Sequence, residues 1–386
     1  MMSRCRDFAD LAAAYKGDAQ LSHRSLIVNG DMSVCQKSTS ATGLGAANAC
    51  HTIDCWNMSQ SSAGRFTMSQ DAVTDLSGFF YALKLACTTA DTSIAAGEYV
   101  ILSQGIESRG GLTQRMKQGY SDAEKLTLSF WAKADSEATY GVSLKENDND
   151  RIINARFTVG TSWERHVITF SGDTSTGDKP GVDHNGTITV YWWLQAGTTY
   201  NGGTFSNLTW ADTTWNAAVH SSNDSFFSAT SRTFYITGVQ LEVGEVATPF
   251  EHKSYATSLQ ECMRFCQVIG KDNSDTTPTT SFGYGYLDDA SNAEMIYQLP
   301  VRMRSAPTLH ALSTDQNLDL KTDGQGGAVA STPATNYEAS ETNIKFTLDG
   351  NAGNWSRGDN GGAVFARWNG VQATGSAGWW ILTCEL

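Results

Sequence analysis

Two strand-like segments far apart in the chain constrain its fold most. Phe234–Glu242 alternates apolar and polar residues, meets a turn at Gly244 and leaves through Ala247-Thr248-Pro249-Phe250. Leu26–Met32, LIVNGDM, is a short apolar run ending in an Asn-Gly turn. About 210 residues, rich in Ser, Thr, Gly and Trp, separate Leu26 from Phe234. First and last strands that lie near each other close a β-sandwich. One sandwich over residues 24–252 is therefore expected.

The interior supports this. Alternation and β-branched or aromatic content mark strands at Ser25–Val28, Arg65–Ser69, Phe79–Cys87, Glu98–Ile106, Leu126–Lys133, Thr139–Lys145, Ile152–Thr158, Glu164–Phe170 and Thr187–Gln195. Charged residues are only 17% of the 386, which leaves few helix formers, and eleven Trp and thirteen Tyr supply large apolar surfaces. The fold class is all-β, and the length calls for two or three domains. Residues 6–17 form an amphipathic helix by spacing (Phe8, Leu11, Ala12, Tyr15), within a leader spanning 1–23. Residues 253–269 read as a linker helix through Tyr255, Leu259, Met263 and Val268. Residues 270–386 form a smaller second β domain with Gly-rich loops.

Five segments occur in a telling order. They are HTIDCW (His51–Trp56), LTLSFWAK (Leu126–Lys133), TSWERHVITFSGDTS (Thr161–Ser175), TVYWWLQAGTTY (Thr189–Tyr200) and RTFYITGVQLEVG (Arg232–Gly244). Together they resemble the carbohydrate-binding-module-like jelly roll of bacteriophage tail fibres and minor virion proteins, over roughly residues 24–266. The chain departs from that family at Cys55, where Arg is usual, and at Cys35-Gln36-Lys37-Ser38, where Arg-Gly is usual. The resemblance implies a homotrimer, attached to other tail proteins through the N-terminal segment, with the C-terminal domain as a receptor-binding tip. It implies reversible, multivalent binding to host surface glycan. It is equally compatible with an architectural virion subunit that binds no glycan, and a glycan depolymerase is a third reading. It also implies a structural calcium near the first and last strands, for which Asp31 and Glu242 are the available carboxylates, well short of the six to eight oxygens needed.

The net charge of −13 argues against a nucleic-acid surface or adhesion to anionic lipid. No run of about 18 apolar residues predicts a membrane span. The first seventeen residues lack an apolar signal core, so synthesis in a bacterial host cytoplasm and localisation to the virion are expected. Most of the eight cysteines then read as reduced, buried hydrophobes.

No catalytic pattern stands out. The seven His are scattered, and no GxSxG elbow occurs. His166 reads as a cross-strand partner on a sheet face. Asn147–Asp150 lacks the Gly and distal Glu of a calcium loop and reads as a hairpin turn. Forty Asp and Glu do not reveal a hydrolytic pair by themselves.

Sugar rings pack their C–H faces on Trp and Tyr while polar side chains take the hydroxyls. In the sandwich this points to Trp193, Tyr200 and Trp210. Trp192 and Trp193 are adjacent, so they face opposite ways: one enters the core, the other can serve as a platform. Trp56 and Trp131 are expected in the core. In the second domain Trp355, Arg357 and Trp368 lie in or near Gly/Asn-rich loops and are the other glycan-binding candidates.

Overall fold

A computed structural model describes residues 23–45, 47–108, 113–175, 179–181, 185–269, 281–287, 292–311, 318–322, 328–330, 337–349, 363–368 and 380–384. The helix expected over 6–17 lies outside them. The chain divides into two compact units, the first ending at Ser258 and the second running Leu259–Glu385.

The first unit is a sandwich of thirteen strands: β1 (Ser40–Leu44), β2 (Ala47–Ala49), β3 (Asn57–Ser61), β4 (Arg65–Ala72), β5 (Tyr81–Thr89), β6 (Tyr99–Glu107), β7 (Leu126–Ala134), β8 (Ala138–Glu146), β9 (Arg151–Val159), β10 (Glu164–Phe170), β11 (Gly186–Ala196), β12 (Ala211–Asp212) and β13 (Thr233–Val243). They form a six-stranded sheet, β1-β4-β5-β13-β7-β10, and a seven-stranded sheet, β12-β9-β8-β11-β6-β3-β2. Every named pairing within them is antiparallel. The inner faces share one apolar core from both sheets, including Trp56, Phe66, Leu85, Phe130, Tyr140, Trp192 and Phe234. Its aromatic rings meet at angles rather than face to face, as ring quadrupoles prefer. Phe130 meets Trp192 edge-on at 5.7 Å, and Tyr140 meets Phe234 the same way at 5.8 Å.

The first segment does lie beside the last strand. Ser25 bridges Glu242, Leu26 N donates to Leu241 O (2.8 Å), and Val239 N donates to Gly30 O (2.9 Å). Thr237 and Gln240 flank a register irregularity in β13, whose first half pairs with β5. Gly30 permits the close approach: a Cβ there would stand 2.0 Å from Val239 O. Strands missed by the sequence reading, β1 to β3 and β12, are polar and short, so alternation is not visible in them. Trp56 is buried as expected, but Trp131 is only half-buried. Trp131 falls between the buried Phe130 and Ala132, so the pleat turns it to the outer face.

In the second unit, Cys266–Ile269, Trp380–Thr383 and Thr308–Ala311 make a three-stranded sheet, and seven further strands make another. The helix expected over 253–269 is shorter, Tyr255–Met263. Cys266–Ile269 instead pairs with Trp380–Thr383, because its alternating apolar residues find a strand partner. The Gln267 amide donates to Met263 O (2.9 Å), satisfying a carbonyl at the helix end. Among the described residues no helix is long and apolar enough to cross a membrane.

Candidate functional site

The seven-stranded sheet buries part of its outer face as well. The chain from Ala196 to Asp224 folds back over β8 and β9. Leu208 N donates to Asn154 O (2.7 Å), Gly141 N to Asn223 Oδ1 (2.7 Å), and Asp224 N to Thr139 O (2.9 Å). Between it and the sheet, Ile101, Ile152 and Trp193 meet Ala196, Ala218 and Val219 in a second, smaller apolar cluster. The cover stops over β11. The remaining outer face, across β3, β6 and β11, is a groove enclosing ≈ 440 Å³.

Period-two alternation and register build its floor. Asn57 and Ser59 of β3 stand opposite Ser103 and Ile101 of β6, which stand opposite Tyr191 and Trp193 of β11. Thr189 and Tyr99 extend these rows along their strands. The wall comes from the returning segment: Thr199 and Tyr200 on the short helix Thr198–Asn201, and Trp215 at the start of a 3-10 turn. Backbone bonds pin that wall. Gly197 N donates to Glu98 O (2.8 Å), Thr199 N to Ala96 O (2.9 Å), Gly203 N to Asn216 O (2.6 Å) and Val219 N to Tyr200 O (3.0 Å).

The aromatic side chains are mutually braced. Tyr200 lies 5.3 Å from Tyr99 and 5.5 Å from Trp193 between ring centres. Trp215 lies 6.5 Å from Tyr191 and 6.1 Å from Trp193. Trp215 is 40% exposed, and Tyr99, Tyr191 and Tyr200 are half-buried. Trp193 borders the groove but has no exposed surface of its own; its indole N–H donates to Ser143 Oγ (3.1 Å). It is the support beneath the open rings. Burial pushes the Tyr191 phenol above its ordinary value, with a hydrogen bond to Thr189 pulling the other way. Burial, and then the neighbouring Tyr99, raise the Tyr200 phenol. Both stay neutral near pH 7, able to donate and to accept hydrogen bonds.

The structure thus joins two sequence candidates, Trp193 and Tyr200, at one place. Trp210 is elsewhere: its indole N–H donates to Ser171 O (2.6 Å), and its ring packs on the main core. Trp192 faces that core, so the adjacent tryptophans do diverge. Trp355 and Arg357 lie outside the described residues. Trp368 ends the strand Ala363–Trp368, opposite Leu318. Tyr99, Tyr191 and Trp215 were missed. Tyr191 was legible as the same-face neighbour two residues before Trp193; Trp215 sits in an aperiodic loop and carried no such signal.

Asp31 and Glu242 are not brought together. Glu242 stands opposite Ser25, whereas Asp31 lies past Gly30, at the other end of that pairing. Glu242 accepts from Thr248 N (3.0 Å) and Thr248 Oγ1 (2.5 Å), and Asp31 accepts from Ser33 Oγ (2.9 Å). Among the described residues no group of three or more His, Cys, Asp or Glu could hold a metal ion. The loop at Asn147–Asp150 is held by Glu146, which accepts from Asp148 N and Asn149 N at 2.9 and 2.8 Å. His220 and Ser222 make a close pair, Nδ1 to Oγ 2.9 Å, but His220 Nδ1 also accepts from Ser222 N (3.1 Å), the geometry of a local turn.

No family model matches this chain, and no curated protein matches it. It is similar to several solved structures. One is a CBM4 module, at 14% identity and a TM-score of 0.29, covering 56% of this chain and 97% of that chain. Another is a family 11 carbohydrate-binding module from Clostridium thermocellum in complex with a β-1,3-1,4-mixed-linked tetrasaccharide, at 11% identity and a TM-score of 0.27, covering 56% and 99%. A third is the N-terminal cellulose-binding domain of Cellulomonas fimi β-1,4-glucanase C, at 12% identity and a TM-score of 0.26, covering 50% and 90%. Similarity at these levels carries no chemistry across, so function has to come from the groove's own side chains.

Proposed function

We propose that the sandwich binds glycan non-covalently through the groove over β3, β6 and β11. The observation that carries this reading is the pairing of partly open rings, Trp215, Tyr200, Tyr191 and Tyr99, with a floor of Asn57, Ser59 and Ser103. Rings offer faces for sugar C–H groups, and neutral amides and hydroxyls exchange hydrogen bonds with sugar hydroxyls. Hydrolysis needs two carboxylates across the bond. Among the described residues that line the groove none is Asp, Glu or His, which supports binding without cleavage.

The biological role we propose is a bacteriophage tail fibre or tail-tip adhesin, supported by the ordered sequence segments from His51–Trp56 to Arg232–Gly244. Several copies on one particle would raise avidity by about 10²–10⁴ over a single weak site. Purified protein is incubated with a panel of lipopolysaccharides and capsular polysaccharides, and both retention and polymer length are recorded. Retention without shortening is expected, and Trp215→Ala should weaken it about tenfold, or ~1.4 kcal/mol. Shortening would make the protein a depolymerase. Loss of retention in Trp355→Ala or Trp368→Ala, but not in Trp215→Ala, would move binding to the second unit. No retention, together with capture of a tail protein through residues 1–23, would favour the architectural subunit.

A further inference from the structure

We infer that the groove accepts uncharged glycan segments and rejects segments bearing carboxylate, sulfate or phosphate. This rests on the glycan-binding reading above and adds the class of sugar. All eleven described residues lining the groove are uncharged. A charged sugar substituent entering it would lose water without gaining a counter-charge, a cost that neutral hydroxyls do not incur.

The charges nearest the groove do not change this. Lys145 lies one step along the same face, opposite Thr189, with its ammonium 6.0 Å from the Trp215 ring centre. It is already paired with Asp150 at 2.9 Å, and its side chain is only 11% exposed. The pair presents no net charge to the groove. Asp150 is kept ionised by that bond, which holds its carboxyl below the ordinary range. The chain as a whole carries −13, which also disfavours anions.

The test separates the local effect from the global one. Immobilised bacterial surface polysaccharides that contain uronic acids are compared with their carboxyl-reduced counterparts, which keep the backbone and lose the charge. The full chain is used at about 0.15 M salt, where the Debye length of ~8 Å screens whole-molecule repulsion. At least tenfold stronger retention by the reduced polymers is expected, and Trp215→Ala should remove it. Asp150→Asn frees Lys145 beside Trp215 and should narrow the difference at least threefold. The positive φ of Asp150 suits Asn, so this variant should fold.

Retention of the acidic parents equal to that of their reduced forms, and lost in Trp215→Ala, would overturn the inference while leaving the glycan-binding reading standing. A difference that Asp150→Asn leaves unchanged would overturn the account of charge as the discriminator. No retention of any polymer would overturn the glycan-binding reading, and this inference with it.

Discussion

His166 sets a pH limit on the sandwich. It stands opposite Phe130 in the β7–β10 register, stacks on that ring at 5.1 Å and lies 5.3 Å from Phe157. Its Nε2 is buried without a hydrogen-bond partner. Burial lowers its pKa below the ordinary 6.5, with Glu164 opposing. His51 is lowered too, by burial first and then by Lys37. A depressed folded-state pKa means that the unfolded chain binds the proton more readily. The stability these two residues contribute is therefore complete above pH ~6.5 and is lost as pH falls from there through their folded values. The urea midpoint should fall between pH 7 and 5. His166→Phe, flanked by Phe130 and Phe157, should flatten that slope, with His51 accounting for the remainder. A slope identical in wild type and His166→Phe would assign it to His51 and the carboxylates. The same residue shows where the sequence was legible: a His inside an alternating strand announces a face, but only the register names the ring beneath it.

At the scale of elements, the contact between residues 25–30 and β13 depends on one glycine. In Gly30→Ala the methyl group would stand 2.0 Å from Val239 O, and the blocking atom is backbone, not a flexible side chain that could yield. The segment must then shift, straining the bonds at Leu241 O and Gly30 O. A loss of about 1–3 kcal/mol is expected, typical of overpacking. With the denaturant slope unchanged, it appears as a lower urea midpoint. An unchanged midpoint would show that the pairing contributes little to closure. This contact was readable because both partners are apolar runs beside turn residues. The groove was not. Its floor follows from alternation in β6 and β11, but β3 is the polar NMSQS, and the wall from Thr198 to Ala217 obeys no period. What makes the groove is the place where the cover stops, and that depends on contacts such as Gly141 N to Asn223 Oδ1, made 82 residues apart in sequence.

For the whole molecule, the question is which unit carries single-site affinity. The first unit ends at Ser258, has its own core, and contains every described residue that lines the groove. A unit of this kind should fold without the remainder. A fragment ending at Ser258 should therefore unfold cooperatively and bind a monovalent oligosaccharide with the Kd of the full chain, because every described residue that lines the groove precedes it. Binding to a polymer is a different quantity. If the chain assembles into trimers through other residues, the fragment should lose about 10²–10⁴ in apparent affinity for immobilised polysaccharide while its oligosaccharide Kd stays fixed. Calorimetry on the oligosaccharide and retention on the polymer, measured on both proteins, separate the two contributions. Equal loss in both would place part of the site beyond Ser258 and return attention to Trp355, Arg357 and Trp368. Loss on the polymer alone would mean that the sandwich recognises the sugar and that avidity comes from assembly.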